Sequence, residues 1–166
     1  MKIGRVTVSD RASAGVYPDV SGPEIERILR GFFGAEASFV AALVPDEVDL
    51  ISAKLREFAD GEQCDLIVTT GGTGISARDV TPEATRATLD KELPGFGEAL
   101  RRGSSAKVRT AILSRATAGT RGRSLIVNLP GKPAAVSECL EILEPAIREG
   151  VAHLRGDDPH TKGAML

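Results

Sequence analysis

The junction where Asp65-Leu66-Ile67-Val68-Thr69-Thr70 runs straight into Gly71-Gly72-Thr73-Gly74 limits the folding choices of this chain more than any other stretch. A short, unbroken apolar run has no polar side to turn toward water, so it reads as a parallel strand buried on both faces. Such a strand needs a covering layer above and below it. A second run of the same kind, Ser124-Leu125-Ile126-Val127-Asn128-Leu129, stops at Pro130-Gly131. Ile3 to Ser9 and Ala37 to Val44 are further strand candidates, being short and rich in β-branched or apolar residues.

Helical patterns lie between these strands. A polar loop is expected from Asp10 to Val20; Ser21 and Glu24 then have capping-box spacing, with Pro23 in the first turn. Ile25, Ile28, Leu29, Phe32 and Phe33 share one face of that helix, and Gly34 ends it. Val48, Ile51, Leu55 and Phe58 keep helical spacing as far as Gly61. Thr81-Pro82-Glu83 opens the next helix, with Thr81 as N-cap and Pro82 at the first helical position. Pro94 to Arg102 reads as another helix, whereas Val108 to Arg115 fits neither period. Val136, Cys139, Leu140, Leu143, Ile147, Val151 and Leu154 form the stripe of a long closing helix. Strands alternating with helices predict an α/β fold with a mostly parallel sheet, as one domain over residues 1–166 whose polar tail, 156–166, is loose.

Composition narrows the chemistry. Apolar residues make up 42% of the 166 residues, but aromatics only 4%, so the core must be Val, Ile, Leu and Ala. Acids and bases are interspersed to a net charge of -2, which gives no reason to expect nucleic acid or an anionic membrane as partner. Cys64 and Cys139 have no CxxC partner and read as structural thiols of a reducing compartment. The first residues carry no long apolar run, and no stretch approaches the ~18 apolar residues of a membrane span. The expected location is cytoplasmic.

In parallel sheets ligands bind beyond the carboxyl ends of the strands. Ser9-Asp10, Pro45-Asp46, the run from Thr69 to Asp79, and Asn128-Leu129-Pro130-Gly131 all fall there. A tight turn alone would need one glycine, not three in four positions interleaved with threonine. Gly72-Thr73-Gly74-Ile75-Ser76-Ala77 fits a dinucleotide fingerprint, but it should follow the first strand, and the region near Glu92 and Glu98 looks helical rather than like a strand ending in an acid. No Gly-Lys-Ser/Thr follows, so the turn is not a Walker A loop. The third reading is an anion cradle, in which glycines let backbone N–H groups approach phosphate oxygens and threonine hydroxyls add donors. Asp79 or Asp46 would then hold Mg²⁺ together with the phosphates, although either alone also reads as an N-cap or a solvated loop acid. Arg11, Arg78 and Arg115 are candidate phosphate partners. His153 and His160 lack metal-ligand spacing, and Ser9, Ser13 and Ser114 have no nearby His or nucleophile elbow for hydrolase chemistry.

Taken in order, Ser9-Asp10-Arg11-Ala12-Ser13, Val44-Pro45-Asp46-Glu47, Thr69-Thr70-Gly71-Gly72-Thr73-Gly74, Arg78-Asp79-Val80-Thr81-Pro82-Glu83, Leu113-Ser114-Arg115 and Asn128-Leu129-Pro130-Gly131 resemble a known family. It is that of the molybdopterin adenylyltransferases of molybdenum-cofactor biosynthesis, of the MogA type, with the gephyrin G domain and the MoaB proteins. The resemblance implies a three-layer α/β/α fold and a homotrimer. It also implies transfer of AMP from ATP to molybdopterin with Mg²⁺, and a downstream molybdenum-insertion protein as a possible partner. By position, Asp46 and Asp79 match the two functional aspartates, and Thr70, Gly71, Gly72, Thr73 and Gly74 match the ligand-binding loop. Ser9, Asp10, Ser114, Pro130 and Gly131 match positions around the same pocket. A non-catalytic molybdopterin carrier or scaffold of the same fold is the main alternative, and a nucleotide-dependent oxidoreductase a more distant one.

Overall fold

A computed structural model describes residues 1–157 of the chain. All but the first two residues of the expected loose tail, and His160 with them, lie outside the described residues. The strands are β1 (Lys2–Val8), β2 (Ser38–Val44), β3 (Leu66–Thr70), β4 (Lys91–Glu92), β5 (Ala118–Arg121) and β6 (Ser124–Leu129). The helices are α1 (Asp10–Ser13), α2 (Ser21–Phe33), α3 (Val48–Arg56), α4 (Thr81–Arg86), α5 (Pro94–Ser105) and α6 (Pro133–Arg155).

The strands form one sheet in the order β2-β1-β3-β6-β5-β4. The first four are parallel, while β5 runs antiparallel to both β6 and β4. β3 and β6 are buried along their whole length, as their unbroken apolar runs require. On one face Leu66, Val68, Leu125 and Val127 pack with apolar residues of α2, α5 and α6. On the other, Ile67 and Ile126 pack with Ile51 and Leu55 of α3 and Ala84 of α4. The result is the expected three layers. Cys64 and Cys139 are buried free thiols, and burial pushes both up to about 11. Among the described residues no helix is long and apolar enough to cross a membrane.

Four local readings differ from the structure, one being that Glu92, expected in a helical region, ends the short strand β4, while Glu98 does lie in a helix, α5. Ser21 and Glu24 do not form a capping box: α2 already includes Ser21, and the Asp19 carboxylate accepts the Gly22 N–H at 2.9 Å instead. Glu24 pairs with Arg27 and accepts the Ser137 hydroxyl. Thr81 does not cap α4 either, because its buried hydroxyl donates to the Gly71 carbonyl at 2.9 Å. The expected loop after β1 begins with a short helix, α1, whose N-cap is Ser9 accepting the Ala12 N–H. The undecided segment Val108 to Arg115 contains a 3₁₀ turn over Arg109–Leu113.

One buried polar contact ties the sheet to the helix beneath the glycine turn. Asn128, fully buried in β6, donates from Nδ2 to Thr69 Oγ1 at 3.0 Å and to Thr85 Oγ1 at 2.9 Å. Asn128→Ala should therefore destabilise the protein by about 1–3 kcal/mol, the cost of losing buried hydrogen bonds. Urea unfolding checks it: a lower midpoint at unchanged m is expected, and an unchanged midpoint would show that the contact contributes nothing.

Candidate active site

The chain leaves β1 to cross one face of the sheet through α2, and returns from β2 across the other through α3. A crevice therefore opens beyond the carboxyl ends of β1 and β3, where parallel sheets hold their ligands. The glycine turn sits in it. Gly71 has φ +97°, and a Cβ there would stand 2.2 Å from the Val8 carbonyl oxygen. Gly72 has φ +63°, and its Cβ would meet Thr81 Oγ1 at 2.3 Å and Asp46 Oδ1 at 2.9 Å. Both positions demand glycine for conformation and for space. Thr70 is buried and donates to the Pro130 carbonyl at 2.8 Å, and the Gly71 N–H donates to the Leu129 carbonyl at 3.1 Å. The turn is thus bound to the Pro130-Gly131 exit of β6.

Asp46, at the exit of β2, meets Asp10 in a reciprocal arrangement. The Asp10 N–H donates to Asp46 Oδ2 at 2.8 Å, and the Asp46 N–H donates to Asp10 Oδ1 at 3.0 Å. Arg78 grips the Asp10 carboxylate with two bonds of 2.9 and 2.8 Å. That bidentate pair holds the Asp10 carboxyl below its ordinary range. Partial burial pushes Asp46 the other way, the Asp10 N–H works against that rise, and the charges of Asp10 and Asp79 add to it. Asp10 thereby orients Asp46, whose Oδ1 lies against Gly72.

Asp79 closes the loop that follows the turn. Its Oδ2 accepts the Ser76 N–H at 2.8 Å and lies 2.8 Å from where a Cβ on Gly74 would begin. Asp46 and Asp79 therefore border the same turn. Two cavities of about 450 and 460 Å³ flank it. The first is walled by Ser9, Asp46, Thr70, Gly71 and Gly72, and the second by Thr73, Gly74, Ser114 and Pro130. Asp79 and Gly131 line both. All twelve sequence-named positions lie at this crevice, with Asp10 in its wall through Asp46 and Arg78.

Sequence reasoning passed over several residues that face these cavities. Thr7, Tyr17 and Asp19 line the first, where Asp19 Oδ2 accepts the Thr7 hydroxyl at 2.8 Å and the Tyr17 hydroxyl is hydrogen-bonded to Ser9 Oγ at 3.0 Å. Arg101 and Lys132 line the second. Asp19 carried a readable signal, an acid three residues before a glycine opening a helix; Arg101, inside a helix of alternating polarity, carried none. Arg11, Arg78 and Arg115 already have partners within the protein: the Tyr17 ring, Asp10, and the loop from Gly74 to Asp79 with Glu83.

Among the described residues no group of three or more His, Cys, Asp or Glu gathers to hold a metal. Asp46 and Asp79 are two hard oxygen donors at one turn. That set fits an ion such as Mg²⁺ that draws its other oxygens from water and a phosphate-bearing ligand, not an all-protein cage.

Comparison with known proteins identifies the family of the chain. The family described as "Probable molybdopterin binding domain" matches residues 4–149. A molybdopterin adenylyltransferase of Helicobacter pylori is 53% identical over 145 residues, which is 87% of this chain and 82% of that protein. The molybdopterin adenylyltransferase of Escherichia coli is 45% identical over 153 residues, 92% of this chain and 78% of that one. The crystal structure of the molybdopterin biosynthesis enzyme MoaB from Thermus thermophilus superposes with a TM-score of 0.85 at 43% identity, covering 93% of this chain and 96% of that one. With its sheet order, its glycine turn and its paired aspartates in place, the chain belongs to the molybdopterin-binding domain family.

Proposed function

We propose that this protein is a molybdopterin adenylyltransferase, moving AMP from ATP to the terminal phosphate of molybdopterin with release of pyrophosphate. Its relatives carry that name along most of both chains. The observation that carries the reading is that Asp79 and Gly131 wall two cavities at once. Transfer between two phosphate-bearing substrates needs two seats that meet at one point, and a simple carrier needs only one.

A phosphate oxygen of molybdopterin attacks the α-phosphorus of ATP, and the bond from that phosphorus to the oxygen bridging to the β-phosphate breaks as pyrophosphate leaves. The nucleophile is already an anion at neutral pH, so the chain need not remove a proton. Its work is to bring two anions together in line. Gly71 and Gly72 let the turn pack tightly against the Val8 carbonyl, Thr81 and Asp46 and line the first cavity, and Thr73 and Gly74 continue that surface into the second. Ser9 and Asp10 shape the wall beside Asp46, while Ser114, Pro130 and Gly131 shape the wall across the turn. Mg²⁺ bound between Asp46, Asp79 and the phosphates would neutralise their charge and favour departure of pyrophosphate.

A homotrimer belongs to the same proposal. Ile75, Val108 and Leu113 are exposed although they line the second cavity, and a second copy of the chain seated on that rim would cover them. Cytoplasmic residence and delivery of the product to a molybdenum-insertion protein follow from the same reading.

Asp79→Ala should lower pyrophosphate release by about 100-fold or more, in the range seen when a group that stabilises transition-state charge is removed. Molybdopterin affinity should be nearly unchanged. Near-normal turnover by the variant would remove Asp79 from the reaction.

Asp46 offers a test through pH. Its folded-state pKa is raised, so its contribution to stability is complete below the unfolded value of about 3.9 and is lost as pH rises through the folded value. Asp46→Asn, which keeps an acceptor for the Asp10 N–H, should raise the thermal midpoint at pH 7 and abolish turnover. The gain should shrink below about pH 4. A midpoint that falls at pH 7 would contradict the burial argument.

A further inference from the structure

Arg115 follows the second-cavity residue Ser114, and its side chain reaches back across the glycine turn. Its Nε donates to the Gly74 carbonyl at 2.6 Å, and one terminal nitrogen donates to the Asp79 carbonyl. The other terminal nitrogen pairs with Glu83 in the first turn of α4. Its own backbone N–H donates to the Thr73 carbonyl at 2.9 Å. One residue thus holds both ends of the loop from Gly74 to Asp79.

The planar guanidinium makes these bonds from fixed directions, so the two carbonyls are held at a set separation. Between them lie Ser76, whose N–H binds the Asp79 carboxylate, and the exposed Ile75. Within the loop the Asp79 N–H also donates to the Ser76 carbonyl, and Arg78, one residue before Asp79, is anchored outward to the Asp10 carboxylate. All three guanidinium nitrogens are engaged within the protein, so the bonds to the loop carbonyls and Glu83 fix where the Arg115 side chain lies.

We infer that Arg115 is a positioning residue for adenylyl transfer, acting through Asp79 by clamping the Gly74–Asp79 loop rather than by touching substrate. This inference rests on the proposed reaction and deepens it. A displacement of about 1 Å at a reacting group costs on the order of 100-fold in rate, so loosening the clamp should act on kcat. Because Arg115 sits beside Ser114, it also ties the wall of the second cavity to an aspartate that faces both.

The test uses the full chain with ATP and molybdopterin. Arg115→Gln should lower kcat by about 10- to 100-fold with both KM values within about threefold, as expected for an interaction felt in the transition state. Arg115→Lys, which keeps the charge but loses the fork, should be impaired as much. In an Asp79→Ala background, Arg115→Gln should change the residual rate by less than about threefold, because the two residues act as one unit. Amide hydrogen exchange should quicken across residues 75–79 in Arg115→Gln and stay unchanged in β3 and β6.

Unchanged kcat, full activity in Arg115→Lys, a loss confined to KM, or an additive loss in the Asp79→Ala background would each overturn the inference, the last two by marking a direct grip on substrate. A wild-type protein inactive with both substrates would overturn the adenylyl-transfer reading instead. The exchange measurement would still report whether Arg115 holds the loop.

Discussion

The backbone of Gly71 is the point on which the candidate site depends. Its N–H is bound to the Leu129 carbonyl, its carbonyl accepts the Thr81 hydroxyl, and its α-carbon lies where any side chain would strike the Val8 carbonyl. Three parallel strands and a helix thus converge on one residue without a Cβ. This contact brings the exits of β1, β3 and β6 close enough for Asp46, Asp79 and Gly131 to share a crevice. A methyl group at that position would have to push β1 away from β3, and the crevice would open with it.

Charge sets the second constraint. Asp10, Asp46 and Asp79 lie at one edge of the sheet, where the proposed substrates would add several phosphates. The nearest arginines do not neutralise that edge for a ligand. Arg78 is engaged by Asp10, and Arg115 by the loop carbonyls and Glu83. Positive charge for the phosphates is therefore expected to come from a cation carried with the substrate, from backbone N–H groups, and from Arg101 and Lys132 on the second cavity. This division of labour explains why a site for anions is lined by acids.

Much of this was legible in the sequence because burial on both faces leaves a plain record. The runs Leu66–Thr70 and Ser124–Leu129 could be read nearly to the residue, and so could the stripe from Val136 to Leu154. β4 and β5 were not legible: Lys91–Glu92 is a two-residue exposed edge, and Ala118–Arg121 has neither a β-branched run nor alternation. Caps misled for a physical reason. Ser21 and Thr81 have the right hydroxyls at the right places, but Asp19 and the Gly71 carbonyl, distant or unremarked in the sequence, supply stronger competing partners. Asp46 and Asp79 stood out as acids at strand exits. The part played by Arg115 was hidden, because it depends on two carbonyl groups 41 and 36 positions away turning toward it.

The central claim is that both cavities are filled during one reaction in which the α-phosphate changes owner. It is tested most directly by incubating the protein with molybdopterin and ATP labelled at the α-phosphorus, then following the label. The account predicts that the label moves to the terminal phosphate of molybdopterin while unlabelled pyrophosphate is released in equal amount. Tight binding of molybdopterin with all of the label remaining in ATP would contradict it and identify the protein as a carrier.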